Sequence, residues 1–125
     1  MIKLFQYLDA SGNFDYDAYK SIQVAGNKEK IGNVWTARDN IDFLAGWLRK
    51  NIRPLTFGIC HGTRRGLEQQ WFREALNIEV IGTEISETAR DFPNTIQWDF
   101  HEVRDEWIGK ADFIYSNSYD HAYDP

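Results

Sequence analysis

The chain alternates short apolar runs with segments whose apolar residues recur at helical spacing. Apolar runs begin near positions 55, 78, 95 and 111, and a polar or small-residue turn follows each of them. Strands that are buried on both faces of a parallel sheet have this pattern, and the intervening segments are typical of helices or turns. The sequence therefore predicts an α/β fold with a parallel sheet.

The part of the chain before position 53 contains helical patterns. One helix is predicted from Asp15 to about Lys30, and a second begins at Thr36–Asp39, which has the form of a capping box. Ile2–Leu8 is read either as a short strand or as an extended lead. We expect residues 1–52 to form a helical N-terminal cap and residues 53–125 to form the core.

The stretch from Leu55 to Glu84 has the pattern of strand, glycine turn, helix and second strand. The first N–H groups of a helix have no partner within it, so they favour polar or anionic ligand atoms. Gly62, in the turn, lets a ligand approach the backbone, and an acid such as Glu84 after the second strand commonly binds ribose hydroxyls. This strand–helix–strand unit predicts a nucleoside-containing ligand. The alternative is an ordinary βαβ unit whose glycine serves only the turn.

Composition and charge exclude several classes of function. The length of 125 residues and the hydrophobic content of 42% are sufficient for one folded domain. The net charge of -5 argues against non-specific binding to nucleic acid, and no apolar run approaches the length of a membrane span. Cys60 is the single cysteine, which excludes an internal disulfide and is compatible with the cytoplasm, where we expect the protein.

Four segments at the ends of the predicted strands resemble the motifs of one family. They read FGICHGTRRG, VIGTE, IQWDF and ADFIYSNSYDH. In this order they resemble the glycine loop, acid, polar residue and polar motif of the class I S-adenosylmethionine-dependent methyltransferases. The resemblance covers residues 53–125 and implies a Rossmann-like, doubly wound parallel sheet, with S-adenosyl-L-methionine as cofactor. It also implies a core truncated after its fourth strand, and hence a fragment that is weak or inactive.

The resemblance assigns roles to particular residues. Glu84 would bind the ribose and Asp99 the adenine amino group, while Gly58 stands where the family has an acid that contacts the methionine end. His61, Thr63 or Arg64 would then replace that acid. The full set implied for the cofactor is Gly58, His61, Gly62, Thr63, Arg64, Glu84, Asp99 and Ser116, and the set implied for catalysis is Asn117 and His121.

Several of these residues also have a structural interpretation. His61 is equally well read as a hydrogen-bonded histidine of the turn, and Asp99 as a cap for the segment after it. Asp120 and His121 are adjacent, so on a strand their side chains would point apart. Cys60 lies between apolar residues and is expected to be buried and unreactive.

The sequence leaves the methyl acceptor open between a small molecule, a sugar and a protein side chain. The alternative function is a nucleotide-binding Rossmann module without catalysis, or an inactive methyltransferase fragment. The nicotinamide-dinucleotide fingerprint Gly-x-Gly-x-x-Gly, the phosphate-loop Gly-Lys-Ser or Gly-Lys-Thr, and the hydrolase motif Gly-x-Ser-x-Gly are all absent. The spacing of His61, His101 and His121 does not match a metal site.

Overall fold

The structure is a computed structural model that describes residues 6–124. In chain order its elements are α1 (Tyr16–Glu29), α2 (Arg38–Asn51), β1 (Phe57–His61), α3 (Leu67–Leu76), β2 (Glu79–Glu84), β3 (Thr95–Gln97) and β4 (Phe113–Ser116). Short 3₁₀ turns at Glu87–Asp91, Asp105–Trp107 and Tyr119–His121 connect or follow the last strands. Most of the proposed Ile2–Leu8 strand lies outside the described residues.

The four strands form one parallel sheet in the order β3-β2-β1-β4. This confirms the α/β fold class and is consistent with a Rossmann-like arrangement. The chain moves outward in one direction from β1 to β3 and then crosses back to place β4 on the other side of β1. The strand order therefore reverses between β1 and β4, and in open parallel sheets ligands bind outside the carboxyl ends of the strands at such a point.

One face of the sheet carries the main core. Its cluster of buried residues contains Ile41 and Ala45 from α2, Phe72 and Leu76 from α3, and Cys60 and Val80 from the strands. The stripe of α3 that faces the sheet includes Phe72 and Leu76, with Trp71 and Ala75 only partly buried. Burying side chains of this size between two helices and the sheet gives the fold most of its hydrophobic stabilisation.

The opposite face is covered by the crossover between β3 and β4. Alternation along β1 puts His61 on this face, and Phe100 and Trp107 from the crossover lie against its ring, with centroids 5.7 and 6.4 Å away. The β1–β2 connection through α3 and the β3–β4 connection thus lie on opposite faces, as in a doubly wound sheet. Ile114 on the edge strand β4 remains 57% exposed.

The two N-terminal helices have different positions. α2 packs on α3 and shares the core, whereas α1 lies across the C-terminal edge of the sheet. Asp15 caps α1 by accepting a hydrogen bond from the Ala18 N–H. The capping box expected at Thr36 is wrong, because Ala37 occupies the N-cap of α2 and makes no side-chain cap. Among residues 6–124, no helix combines the length and the apolar character that crossing a membrane would need.

Candidate functional site

Two cavities lie side by side at the C-terminal edge of the sheet. The first cavity encloses about 140 Å³ between α1 and the ends of β1, β2 and β3, and the second encloses about 240 Å³ between the glycine turn, the start of α3 and the loop after β4. Both are lined by Trp35, Gly62, Arg64, Ser118 and His121. The two cavities therefore share part of their walls.

Gly62 is one of the residues that line both cavities. Its φ is +67°, and a Cβ added to it would lie 2.8 Å from both Cβ and Oγ of Ser118. The Ser118 hydroxyl in turn donates to the Gly62 carbonyl at 3.1 Å. Glycine is required here because the loop after β4 approaches the turn after β1 directly over the point where the strand order reverses.

Glu84 lines the first cavity with its carboxylate held by backbone groups. The side chain is 6% exposed and accepts the Arg64 N–H at 3.0 Å and the Ser86 N–H at 3.2 Å. Burial raises the pKa of Glu84, although these N–H bonds oppose the shift. A carboxylate offers about four acceptor positions, so two backbone bonds leave capacity for two hydroxyl donors from a ligand.

Asp99 also lines the first cavity but is engaged in a network with α1. It accepts the Tyr16 hydroxyl at 2.7 Å, the His101 N–H at 3.0 Å and the His101 ring Nδ1 at 2.6 Å. Burial alone would raise the pKa of Asp99, but these hydrogen bonds hold it below its usual range. The predicted role in capping the following segment is therefore present in the structure, and the adenine contact stays a prediction.

Arg64 joins α1 to the glycine turn. Its Nε donates to the Asn27 side chain at 3.2 Å, and its Nη1 donates to the carbonyls of Lys30 at 3.0 Å and Asn33 at 3.3 Å. A cation at the C-terminal end of a helix also interacts favourably with the helix dipole. The guanidinium is thus largely hydrogen-bonded to protein acceptors, which leaves it little capacity for a ligand carboxylate.

Two residues that line the second cavity carry buried polar atoms without a partner. Thr63 is buried, and its Oγ1 has no hydrogen-bond partner within residues 6–124. The same is true of Nε of Arg65 in the described part of the chain. Glu68, in the first turn of α3, is 9% exposed, and burial raises its pKa.

The two residues implied for catalysis lie at the second cavity. The Asn117 amide donates to Glu68 Oε1 at 3.5 Å. His121 and Asp120 sit in a 3₁₀ turn rather than on a strand, and this brings His121 Nε2 within 3.6 Å of Asp120 Oδ2. The turn is held in place by the Tyr19 hydroxyl, which donates to the His121 carbonyl at 3.1 Å.

Three predicted residues do not line either cavity. Gly58 lies inside β1, where a Cβ would overlap the Phe113 ring, and Ser116 donates to the His61 carbonyl at 3.0 Å. The His61 ring shares a hydrogen bond with Thr83 Oγ1 at 2.8 Å, and burial lowers its pKa to about 4, so the ring is neutral at neutral pH. The structure thus gives these residues roles in packing and in holding the strand ends together.

Sequence reasoning missed the aromatic walls of the first cavity and the buried Glu68 of the second. Tyr19, Trp35, Trp98 and Phe100 line the first cavity and offer flat surfaces for a planar ring. Tyr19 lies within the helix predicted from Asp15 to about Lys30, but a helical pattern does not show what the ring covers. Glu68 gave no signal, because an acid in the first turn of a helix is common.

Comparisons with family models, with curated proteins and with solved structures find no match for this chain. The chemistry of the site consequently rests on its own geometry. That geometry offers hydroxyl acceptors and aromatic walls in the first cavity. In the second it offers a buried carboxylate, an amide and an imidazole.

Proposed function

We propose that the chain binds S-adenosyl-L-methionine and is the core of a methyltransferase that acts on a small molecule, a sugar or a protein side chain. The observation that carries this proposal is the pair of adjacent cavities that share Gly62 in their walls, at the point where the strand order reverses. A nucleoside with a charged aliphatic tail has an elongated shape that would suit two adjacent cavities. Neither cavity alone reaches the roughly 300 Å³ at which ligand pockets usually begin.

The first cavity suits the nucleoside half. Glu84 can accept the two ribose hydroxyls while keeping its backbone bonds, and the surrounding aromatic rings can pack against a purine. The absence of an acid at Gly58 matters less in this arrangement, because Gly58 lies inside the sheet and faces Phe113.

The second cavity suits the reacting end. When bound, S-adenosyl-L-methionine supplies an electrophilic methyl group, so the protein mainly has to hold the acceptor in line with it. Asn117 can orient an acceptor through its amide, and the His121 imidazole is available to take a proton where the acceptor has one to lose. A cytoplasmic location is part of the same proposal.

Calorimetric titration tests the ligand. We expect saturable binding of S-adenosylhomocysteine and none of NAD, and binding of NAD alone would contradict the proposal. Glu84→Ala should weaken S-adenosylhomocysteine binding by about 1–3 kcal/mol, since it removes the acceptor for the ribose hydroxyls. Glu79→Ala is the matched control, because Glu79 lies exposed at the opposite end of the same strand.

A nucleotide-binding module without catalysis is the second candidate. It is favoured by the observation that α1 already engages Asp99 through Tyr16 and Arg64 through its C-terminal carbonyls. Tight binding of S-adenosylhomocysteine, combined with no methyl transfer from S-adenosyl-L-methionine to a panel of amines, alcohols and carboxylic acids, would favour this candidate.

A further inference from the structure

The second cavity contains a buried acid to which the proposed nucleoside site gives no role. Glu68 is 9% exposed, and its side-chain donor is the Asn117 amide, at the long distance of 3.5 Å. Its own backbone N–H also acts on the carboxylate. Glu68 forms no ion pair with any residue in the described range 6–124. A charge removed from water and left without an ion-pair partner is costly, and this carboxylate has remaining capacity to accept hydrogen bonds.

The other charged groups at the cavity do not neutralise Glu68. The Arg64 guanidinium donates to Asn27, Lys30 and Asn33, and so acts on Glu68 only at a distance. Arg65 forms no ion pair within residues 6–124, although it lines the same cavity. The remaining carboxylate, Asp120, is 75% exposed and solvated.

We propose that the second cavity is a binding site for a primary ammonium group, with Glu68 as its charged acceptor. An ammonium carries three donors and no acceptor, and its hydrogen bonds to a carboxylate are among the strongest that proteins form. Trp35, which is 67% exposed and lines the same cavity, presents an aromatic surface of the kind that cations favour. A bound ammonium would supply the counter-charge that Glu68 lacks.

The ammonium has two chemical sources. One is the α-ammonium of S-adenosyl-L-methionine, and this source rests on the proposed function. The other is an amine on the methyl acceptor, which would make the acceptor class a primary amine. An anion is the opposing ligand class, because Arg65 and the N-terminus of α3 both favour negative charge.

The first arm of the test compares S-adenosylhomocysteine with its analogue in which hydrogen replaces the α-ammonium. By calorimetry the wild-type chain should bind the parent about tenfold or more tightly than the analogue. Glu68→Gln should remove that preference, whereas Glu74→Gln should retain it. Glu74 is the matched control because it lies on the same helix and pairs with Arg38 outside the cavity.

The second arm titrates 2-phenylethylamine, 2-phenylethanol and 3-phenylpropionate, each with and without saturating S-adenosylhomocysteine. A Glu68-dependent preference for the amine that persists with the nucleoside bound assigns the ammonium to the acceptor. Exclusion of the amine by the nucleoside, together with a positive first arm, assigns it to the cofactor.

Equal binding of amine and alcohol in the second arm, combined with a preference in the first arm that Glu68→Gln leaves intact, would overturn the proposal. Tighter binding of the phenylpropionate than of the amine would overturn it as well. If S-adenosylhomocysteine does not bind at all, the proposed function fails, but the amine titration without nucleoside still tests Glu68. Unchanged circular dichroism of Glu68→Gln establishes that the variant is folded.

Discussion

The two cavities share an edge of the sheet and yet differ in how far the protein already satisfies their polar groups. In the first, Glu84 accepts two backbone N–H groups and Asp99 accepts from Tyr16 and His101. In the second, the side-chain hydrogen bond that Glu68 accepts is long, at 3.5 Å, and Thr63 Oγ1 has no partner within the described chain. The polar groups of the first cavity are thus held by the protein, while those of the second are satisfied less fully.

The largest effect is expected at the wall that both cavities share. Gly62→Ala should reduce the free energy of unfolding by about 3 kcal/mol, since it adds a side chain at positive φ and forces it against Ser118. Gly109→Ala is the control, because Gly109 has a φ of +69° and no atom within 4 Å of the added Cβ. Urea denaturation of both variants measures the difference, and equal losses would show that the close approach contributes nothing.

The next largest effect on the free energy of unfolding is expected at Glu84. Glu84→Gln keeps the shape of the side chain but turns one acceptor into a donor that faces a backbone N–H of Arg64 or Ser86. The expected loss is about 2 kcal/mol in the free energy of unfolding, before any ligand is added. Chemical denaturation of the ligand-free chain measures it. An unchanged unfolding midpoint would mean that these N–H bonds do not hold Glu84.

Two tyrosines of α1 allow a comparison of matched variants on one helix. Tyr16→Phe removes a hydrogen bond to the Asp99 carboxylate, and Tyr19→Phe removes one to the neutral carbonyl of His121. Bonds to charged groups are stronger, so the losses should be about 1.5–3 and about 0.5–1.5 kcal/mol respectively. Thermal unfolding ranks the two variants, and faster amide exchange along α1 would show that the helix is released. The reverse ranking would argue against an ionised Asp99.

The smallest effect has the opposite sign and lies in the second cavity. Because burial raises the pKa of Glu68 in the folded chain, the ionised carboxylate costs stability at neutral pH. Glu68→Gln should therefore leave the free energy of unfolding at pH 7 unchanged or higher by about 1 kcal/mol.

The pH dependence of that gain follows from the same shift. Stability of the wild-type chain falls as pH rises from the pKa of Glu68 in the unfolded chain to its raised pKa in the folded one. The gain of Glu68→Gln should consequently disappear below the ordinary glutamate pKa of about 4.3. Urea titrations of both chains between pH 3.5 and 7.5 measure it. A variant that is less stable than the wild type at pH 7 would contradict the predicted cost of the buried charge.

Local patterns were sufficient to predict the four strands. Apolar runs near positions 55, 78, 95 and 111 became the four parallel strands, because buried strands need continuous apolar side chains. The start of α2 was placed wrongly because a capping box is a short pattern, and the chain before α2 positions Ala37 at the cap instead. Cys60 is buried as expected, and burial raises the pKa of its thiol.

The candidate site was only partly accessible from the sequence. Strand ends are local features, so Gly62, Glu84 and Asp99 could be assigned to one edge, and they do line one cavity. The direction of a side chain at a strand end depends on alternation and on its neighbours. The His61 ring therefore lies on the face that the β3–β4 connection covers, where it hydrogen-bonds Thr83, and it does not line either cavity.

By itself, the sequence determined the strands, their parallel arrangement and the edge of the sheet at which the cavities lie, because apolar periodicity and turn residues act over a few positions. Only the tertiary structure decided which polar groups remain available to a ligand. Arg64 donates hydrogen bonds to residues more than thirty positions earlier in the chain, and Asn117 donates one to Glu68, 49 positions away. Such pairings depend on how the elements pack, since packing brings together groups that no local pattern relates.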